Sequence, residues 1–397
     1  MKKIIFGYGE TGKAVEQFFI NNKIDYEIYD DNISELDRDI TSNLLEFDEV
    51  IISPGVTPEN LLLSKIKSKN IKISTDLDLF FRFNKNSIKV IGVTGTNGKT
   101  SFVKIVTEFL NKNGYSAISS GNIGSSPLNS IDNNYDYLVL ELSSYQLYHS
   151  TNLLLDYGVI LNIASDHLDW HGNFQNYLEA KSKIIKFTKE ENLLVYSELI
   201  LELMNNKKTE IASSIYSSIK NLDIPFSGEL LEPFVDLIYL LDLNIENIEK
   251  AFHEYLTDLD QIEHRFEKVQ YKGNITFIND SKATNFHAVT NAIKRSKNII
   301  LILHGLTKNI PSEELHLSKD VKQIIKHSEM ELNLDTFNGK ITNYNSINEI
   351  KTIIKSEMED GDTILFSCGG ASFNDFKNYK ERGNFFKKLV AEIENES

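Results

Sequence analysis

Thr94-Gly95-Thr96-Asn97-Gly98-Lys99-Thr100 sets two glycines, a lysine and a threonine between an apolar run and an amphipathic stretch. Glycines let a backbone turn tightly enough to aim several N–H groups at one anion, and the start of the following helix adds the positive end of its dipole. A lysine at this place reaches the β- and γ-phosphates of a nucleoside triphosphate, and the threonine hydroxyl can ligate magnesium. The general phosphate-loop pattern has a glycine five residues before Gly98, where this chain has Val93, so the strict pattern fails by one position. ATP or GTP binding is the first expectation. The bland alternative is a glycine turn with a solvated lysine.

A second glycine loop, Gly7-x-Gly9-x-x-Gly12, follows the first apolar run, and Asp30 and Asp31 close the next one. This is the dinucleotide fingerprint, but its physics, amides at a helix start, suits any diphosphate. Further along, Glu141 ends the run Tyr137 to Leu142, at the edge where open parallel sheets hold their ligands. Asp166-His167-Leu168-Asp169-Trp170-His171 packs two imidazoles and two carboxylates into six residues, without a cysteine or a common zinc spacing. Lys181 lies in a helical pattern and reads, from its neighbours alone, as an exposed helix lysine. His264-Arg265-Phe266-Glu267 and Asn279-Asp280-Ser281-Lys282-Ala283-Thr284 cluster polar groups near the ends of later strands. Arg265 could offset charge on a transferring phosphoryl group, and Asp280 could hold ribose hydroxyls. Cys368 has no histidine or asparagine partner motif and reads as a small buried residue.

Gly-Thr-Asn-Gly-Lys-Thr is the form of the loop in the Mur ligases of peptidoglycan synthesis and in folylpolyglutamate synthase, and the chain resembles the Mur ligase family along almost its whole length. The resemblance implies a metal-binding set of Thr100, Glu141, His167 and Lys181, with two Mg2+ ions and with Lys181 carbamylated. It implies catalytic roles for Lys99, Glu141, His167 and Lys181. It implies ATP held by Gly95, Thr96, Asn97, Gly98, Lys99, Thr100, Arg265 and Asp280. A UDP-substrate would meet Glu10, Thr11, Asp30, Asp31 and Asn122, the last within Gly121-Asn122-Ile123-Gly124. The segment from Ser367 to Gly383 resembles the D-glutamate-adding members in particular. By that likeness Lys282, Thr284, Lys308, Ser372 and Tyr379 would bind D-glutamate, with UDP-N-acetylmuramoyl-L-alanine as the acceptor. The family's Gly-x-His-Asn segment is replaced here by Gly228-Glu229-Leu230-Leu231, which bears on the adenine contacts. Another Mur-type amino-acid ligase is one alternative; a nicotinamide-dependent oxidoreductase is another, but it leaves Gly98-Lys99-Thr100 without a role.

These residues need elements to hold them. Short β-rich runs alternate with amphipathic stretches, which reads as βαβ units on parallel sheets. Strands are expected at Lys2 to Phe6, Tyr26 to Tyr29, Glu49 to Ile52, Ile88 to Val93, Tyr137 to Leu142, Tyr157 to Asn162, Ile275 to Ile278, Ile299 to Leu303 and Thr363 to Phe366. The polar stretch Asn84 to Ser87 reads as a linker. The expected fold is α/β with three domains in series: a Rossmann-like domain over 1–86, a central phosphate-loop domain over 87–261, and a C-terminal Rossmann-like domain over 262–397. At 397 residues, two or three domains are the prior from length. With 57 acidic and 42 basic side chains the net charge is −15, which disfavours nucleic-acid binding. One cysteine excludes an internal disulfide. No apolar stretch approaches the roughly 18 residues of a membrane span. A cytoplasmic monomer is expected.

Overall fold

The computed structural model describes residues 2–33, 36, 40, 43–131, 133–204, 219, 228–258, 262–307 and 315–396. Three separate sheets organise them. The first has the order β2-β1-β3-β4, from β1 (Lys2–Phe6), β2 (Tyr26–Tyr29), β3 (Phe47–Ile52) and β4 (Lys72–Ser74), all parallel. The second has the order β6-β7-β5-β8-β9, from β5 (Lys89–Thr94), β6 (Ala117–Gly121), β7 (Tyr137–Glu141), β8 (Tyr157–Ile160) and β9 (Leu193–Val195), again all parallel. The third has the order β10-β11-β15-β12-β13-β14, from β10 (Glu267–Val269), β11 (Thr276–Asp280), β12 (Ile299–His304), β13 (Val321–His327), β14 (Lys340–Tyr344) and β15 (Thr363–Gly369). Only its edge strand β10 runs antiparallel, against β11.

The chain divides into two compact units. One holds Met1–Ile163, Trp170–Lys220 and Glu229–Phe252, and so the first two sheets; the other holds Ala164–Asp169, Asn221–Gly228 and His253–Ser397, and so the third. The nine expected strands all form, with ends shifted by at most three residues, the largest being β15, which runs on from Phe366 to Gly369. The strands that pattern reading passed over (β4, β6, β9, β10, β13 and β14) are mostly short, edge or half-polar, such as β14 with its largely exposed Lys340-Ile341-Thr342-Asn343. Parallel strands buried on both faces lose the period-two alternation and read as apolar runs; β7, Tyr137-Leu138-Val139-Leu140-Glu141, is buried throughout. No helix among the described residues is long and apolar enough to cross a membrane.

Within the first unit the linker expected at Asn84 to Ser87 is pinned: the Asn86 amide donates to the carbonyls of Ile131 and Asn133. Helix Asp76–Phe83 ties the first sheet to the second. Thr75 and Asp78 form a capping box at its start, and the Asp78 carboxylate also accepts from the amides of Thr151 and Asn152 at 3.0 and 2.9 Å. A shared apolar cluster, including Phe18, Phe80, Leu138 and Leu147, completes that join.

At the amino edge of the first sheet, Glu49 is 1% exposed and faces three cations: Lys3 at 2.8 Å, Arg82 at 2.7 Å and Lys72 at 3.0 Å. Burial pushes this carboxyl up, but hydrogen bonds from Arg82, Lys3, Ser74 and Lys72 together outweigh it and hold it well below the usual range. A carboxylate whose folded value is depressed lends stability above its unfolded value and loses it as pH falls. Glu49→Gln leaves those cations with no anion, so we expect a loss of about 3 kcal/mol in unfolding free energy at pH 7, in line with breaking a buried pair. Urea denaturation at pH 7 and pH 3 checks this: the difference between wild type and variant should shrink at the lower pH.

Candidate functional site

The phosphate loop runs from the end of β5 into helix Lys99–Lys112. Gly98 has φ +84°, a conformation that favours glycine, and a Cβ there would press on Leu230 Cδ2 at 2.8 Å. Asn162, just past β8, braces the loop: its backbone carbonyl accepts from Thr96 N and its side-chain oxygen from Asn97 N, each at 2.8 Å. The Thr96 hydroxyl and the Tyr177 hydroxyl lie 2.8 Å apart, both buried. The Lys99 ammonium donates to the carbonyls of Gly95 (2.7 Å) and Thr96 (2.9 Å).

Lys181 overturns its local reading as an exposed helix lysine. Helix Phe174–Phe187 turns it inward, leaving it 2% exposed, with its ammonium 2.7 Å from the same Gly95 carbonyl and 5.0 Å from the centroid of the Tyr177 ring. Tyr177 and Lys181 stand one turn apart on that helix, which is why both reach the loop. Two ammonium nitrogens on one carbonyl oxygen repel each other and attract an anion. In a protein of net charge −15 this is a built cationic spot.

Glu141 is 2% exposed at the end of β7. Its Oε1 accepts from Asn122 Nδ2 at 2.9 Å, while Oε2 is buried with no hydrogen-bond partner. Asn122 N also donates to the Glu141 carbonyl. Gly121, with φ +101°, permits this approach: a Cβ there would come within 2.3 Å of that carbonyl oxygen. An unmatched carboxylate oxygen is costly unless a cation or donor completes it, so the donor chemistry here fits a hard divalent cation. Thr100, in the first turn of helix Lys99–Lys112, is half-buried. Among the described residues no three histidines, cysteines or carboxylates converge as a metal cage.

The two imidazoles of the Asp166–His171 segment part company. His171 is buried, 2.9 Å from the Ser144 hydroxyl and stacked on Tyr145. His167, with φ +54°, belongs to the second unit, its Nε2 3.7 Å from the Asp166 carboxylate. Asp166 also accepts from the Asn285 amide at 3.2 Å.

The first glycine loop opens on a cavity of about 640 Å3 in the first unit, lined by Glu10, Thr11, Asp30, Asp31, Asn122 and Gln146 among others. A Cβ on Gly12 would sit 2.2 Å from the Gly7 carbonyl, so the loop closes only with glycine there. Asp30 spends its oxygens on the amides of Tyr8 (2.7 Å) and Asn32 (2.8 Å); Asp31 holds the Asn60 amide at 2.6 Å. Val56, which also lines the cavity, is held by His149, whose Nε2 lies 2.8 Å from the Val56 carbonyl and therefore carries the proton.

In the second unit Asp280 ends β11 and accepts from Phe266 N (3.1 Å) and the Ser367 hydroxyl (2.7 Å); burial pushes it up to about 6 despite those bonds and the nearby charges of Arg265 and Arg295. Arg265 is half-buried. The Lys282 ammonium sits 3.7 Å over the Tyr379 ring. Ser372 is 3% exposed, and Thr284 is half-buried. Lys308 lies outside the described residues. Cys368 is buried, its thiol pushed up to about 12 by that burial, which suits an inert residue.

Residues 93–224 match the model of the Mur ligase middle domain. Over 412 aligned residues, 99% of this chain and 97% of the relative, the sequence is 34% identical to a UDP-N-acetylmuramoylalanine–D-glutamate ligase of Francisella philomiragia. The chain belongs to the Mur ligase family. A relative of the same name from a Thermotoga species is 31% identical over 96% of this chain and 90% of its own length. In fold, the chain resembles the MurF ligase of Thermotoga maritima in complex with ADP, with a TM-score of 0.58, 18% identity and coverage of 89% of this chain and 92% of that one.

The structure adds residues that motif reading missed in this Mur ligase family member. Asn162 and Tyr177 reach the Gly95–Thr100 loop, and His149 reaches Val56 in the cavity lining, only through the fold, and the one signal in the sequence was Asn162 at the end of an apolar run. Burial pushes His149 down to about 4, with Lys67 and Lys183 adding to the effect. A histidine depressed in the folded state contributes full stability above its unfolded value near 6.5 and loses it as pH falls toward 4. His149→Gln keeps an N–H for Val56 but cannot titrate. Thermal melts from pH 4 to 7.5 should show wild type losing more stability than the variant below pH 6.5; parallel curves would remove His149 from this account.

Proposed function

We propose that this chain is an ATP-dependent ligase that joins D-glutamate to UDP-N-acetylmuramoyl-L-alanine in peptidoglycan precursor synthesis, releasing ADP and phosphate. The end-to-end likeness to UDP-N-acetylmuramoylalanine–D-glutamate ligases carries this reading. In it, residues 1–86 hold the UDP-substrate, 87–261 the nucleotide and 262–397 the amino acid. Glu10 and Thr11 serve the diphosphate, Asp30 and Asp31 the uridine end, and Asn122 the substrate.

A carboxylate and an ammonium do not condense in water, because both are well hydrated and hydroxide leaves poorly. Transfer of the ATP γ-phosphoryl group to the substrate carboxylate makes an acyl phosphate and frees ADP. The D-glutamate amine, having shed a proton, attacks the acyl carbon, and the tetrahedral adduct expels phosphate to leave the amide. The Gly95–Thr100 amides and Lys99 cradle the triphosphate, Arg265 offsets phosphoryl charge, and Asp280 serves the ribose. Lys282, Thr284, Lys308, Ser372 and Tyr379 present the amino acid. Thr100, Glu141, His167 and a carbamylated Lys181 would hold magnesium, which when bound neutralises phosphate oxygens. A carbamate replaces the Lys181 cation with an oxygen anion, which relieves the repulsion from Lys99 at the shared carbonyl and supplies an oxygen ligand.

ADP release with UDP-N-acetylmuramoyl-L-alanine should require D-glutamate and fail with L-glutamate, L-alanine or L-lysine; release with L-alanine on the unextended sugar nucleotide would move the assignment to a different ligase. Lys99→Ala should lower turnover at least a thousandfold while calorimetry shows near-normal affinity for the UDP-substrate. Refolding in CO2-depleted buffer should lower activity, and bicarbonate should restore it; unchanged activity counts against carbamylation.

A further inference from the structure

The proposed reaction gives no role to the fully buried cation Arg382. Arg382 lies in the first turn of helix Tyr379–Asn395 and is fully buried. Its Nη1 donates to the carbonyls of His304 (3.0 Å) and Gly370 (2.9 Å), and its Nη2 to that of Ser281 (2.7 Å). These carbonyls come from three segments: the residue after β11, the last residue of β12 and the residue after β15. Among the described residues no carboxylate pairs with the guanidinium, so its burial is offset by these three backbone carbonyls, while Nε is buried without a partner. A planar fork can bind three carbonyls in fixed directions, which a single ammonium cannot reproduce.

The surroundings are shaped to this contact. Gly305 has φ +113°, and a Cβ there would come 2.2 Å from the Ala371 carbonyl and 2.8 Å from Arg382 Nη1. A Cβ on Gly370 would fall 2.5 Å from Gly305 C. Leu306 and Ala371 then exchange backbone hydrogen bonds at 2.9 and 2.7 Å, and the Ser281 hydroxyl donates to the Tyr379 carbonyl at 2.7 Å. Lys282 follows Ser281, Ser372 follows Ala371, and Tyr379 opens the helix that carries Arg382. The guanidinium is thus the common anchor of every described segment expected to meet the amino acid.

We infer that Arg382 is a positioning residue for the amino-acid substrate: it sets the mutual placement of Lys282, Ser372 and Tyr379 without touching the substrate itself. This rests on the proposed function. Misplacing a binding group by about 1 Å can cost on the order of a hundredfold, so the effect should fall on D-glutamate alone.

The test uses the full-length enzyme, with initial rates of ADP release and KM measured for each of the three substrates. Arg382→Lys keeps the charge and loses the fork; Arg382→Met keeps much of the length and loses both. Both should raise KM for D-glutamate at least tenfold, leave KM for ATP and the UDP-substrate within twofold, and retain cooperative melts. Gly370→Ala, which crowds the same junction with the guanidinium intact, should give the same split. In Arg382→Ala, added guanidinium ion at millimolar concentration should lower KM for D-glutamate again. An Arg382→Lys enzyme with a wild-type KM for D-glutamate, or all three KM values rising together, would overturn the inference. Wild-type enzyme that releases no ADP in response to D-glutamate would instead refute the proposed function, and the inference with it.

Discussion

The Gly95 carbonyl accepts from Lys99 and Lys181 at once, and the rest of the first unit is arranged to keep that oxygen in place. Two ammonium groups at one acceptor are stable only while the loop between them cannot open. Asn162 fixes it from just past β8, Tyr177 from helix Phe174–Phe187, and Leu230 packs against Gly98. The Thr94 hydroxyl, donating to the Leu142 carbonyl at 2.9 Å, ties the base of the loop to the strand that ends in Glu141. Cationic loop and unmatched carboxylate oxygen therefore sit on adjacent strands of one rigid sheet, since β5 pairs with β7 through Val93 and Glu141. An anion and a cation brought together, as in a metal-bound triphosphate, answer both groups.

The same logic links this sheet to the cavity above the first. Helix Ser144–His149 begins at a capping box of Ser143 and Gln146 and immediately follows β7. Gln146 lines the cavity while His149, at the end of the same helix, holds the carbonyl of Val56, another lining residue. Asn122 reaches Glu141 from one side and the cavity from the other. One short helix and one asparagine thus join the cavity to the strand that ends in Glu141, beside the Gly95–Thr100 loop, and the seam at Asp78 ties the two sheets together around them.

How much of this was legible in the sequence depended on how local its cause is. Glycine turns and buried parallel strands are written locally: Gly98 needs positive φ, Gly12 needs close approach, and β7 is apolar from end to end. The two loops, the nine strands and the α/β class followed from such signals. Lys181 was misread from its neighbours because helix Phe174–Phe187 carries charge around it, and only tertiary packing decides which lysine turns inward. Residue type gave equal weight to His167 and His171, yet one packs on Tyr145 and Ser144 and the other takes a left-handed backbone beside Asp166. Arg382 was visible only as part of a motif. Nothing near it in sequence shows that its three acceptors lie 12, 78 and 101 residues away.

Among the described residues the two most deeply buried cations, Lys181 and Arg382, meet opposite needs, and their residue types follow. Lys181 occupies a place where a second positive charge is a burden. Lysine is the cation that can set its charge aside, by releasing a proton and, in the proposed reading, by taking up carbon dioxide as a carbamate. Arg382 occupies a place where charge must never be lost, because three backbone carbonyls converge on it and a neutral group would leave them unmatched. Arginine keeps its charge at any pH a protein survives, and its fork already has the spacing the carbonyls demand. Exchanging the two types would fail at both places for different reasons: an arginine at 181 could not shed its charge, and a lysine at 382 could not span its acceptors. In the proposed reading, chemistry that changes state is thus given a lysine, and geometry that must not change is given an arginine.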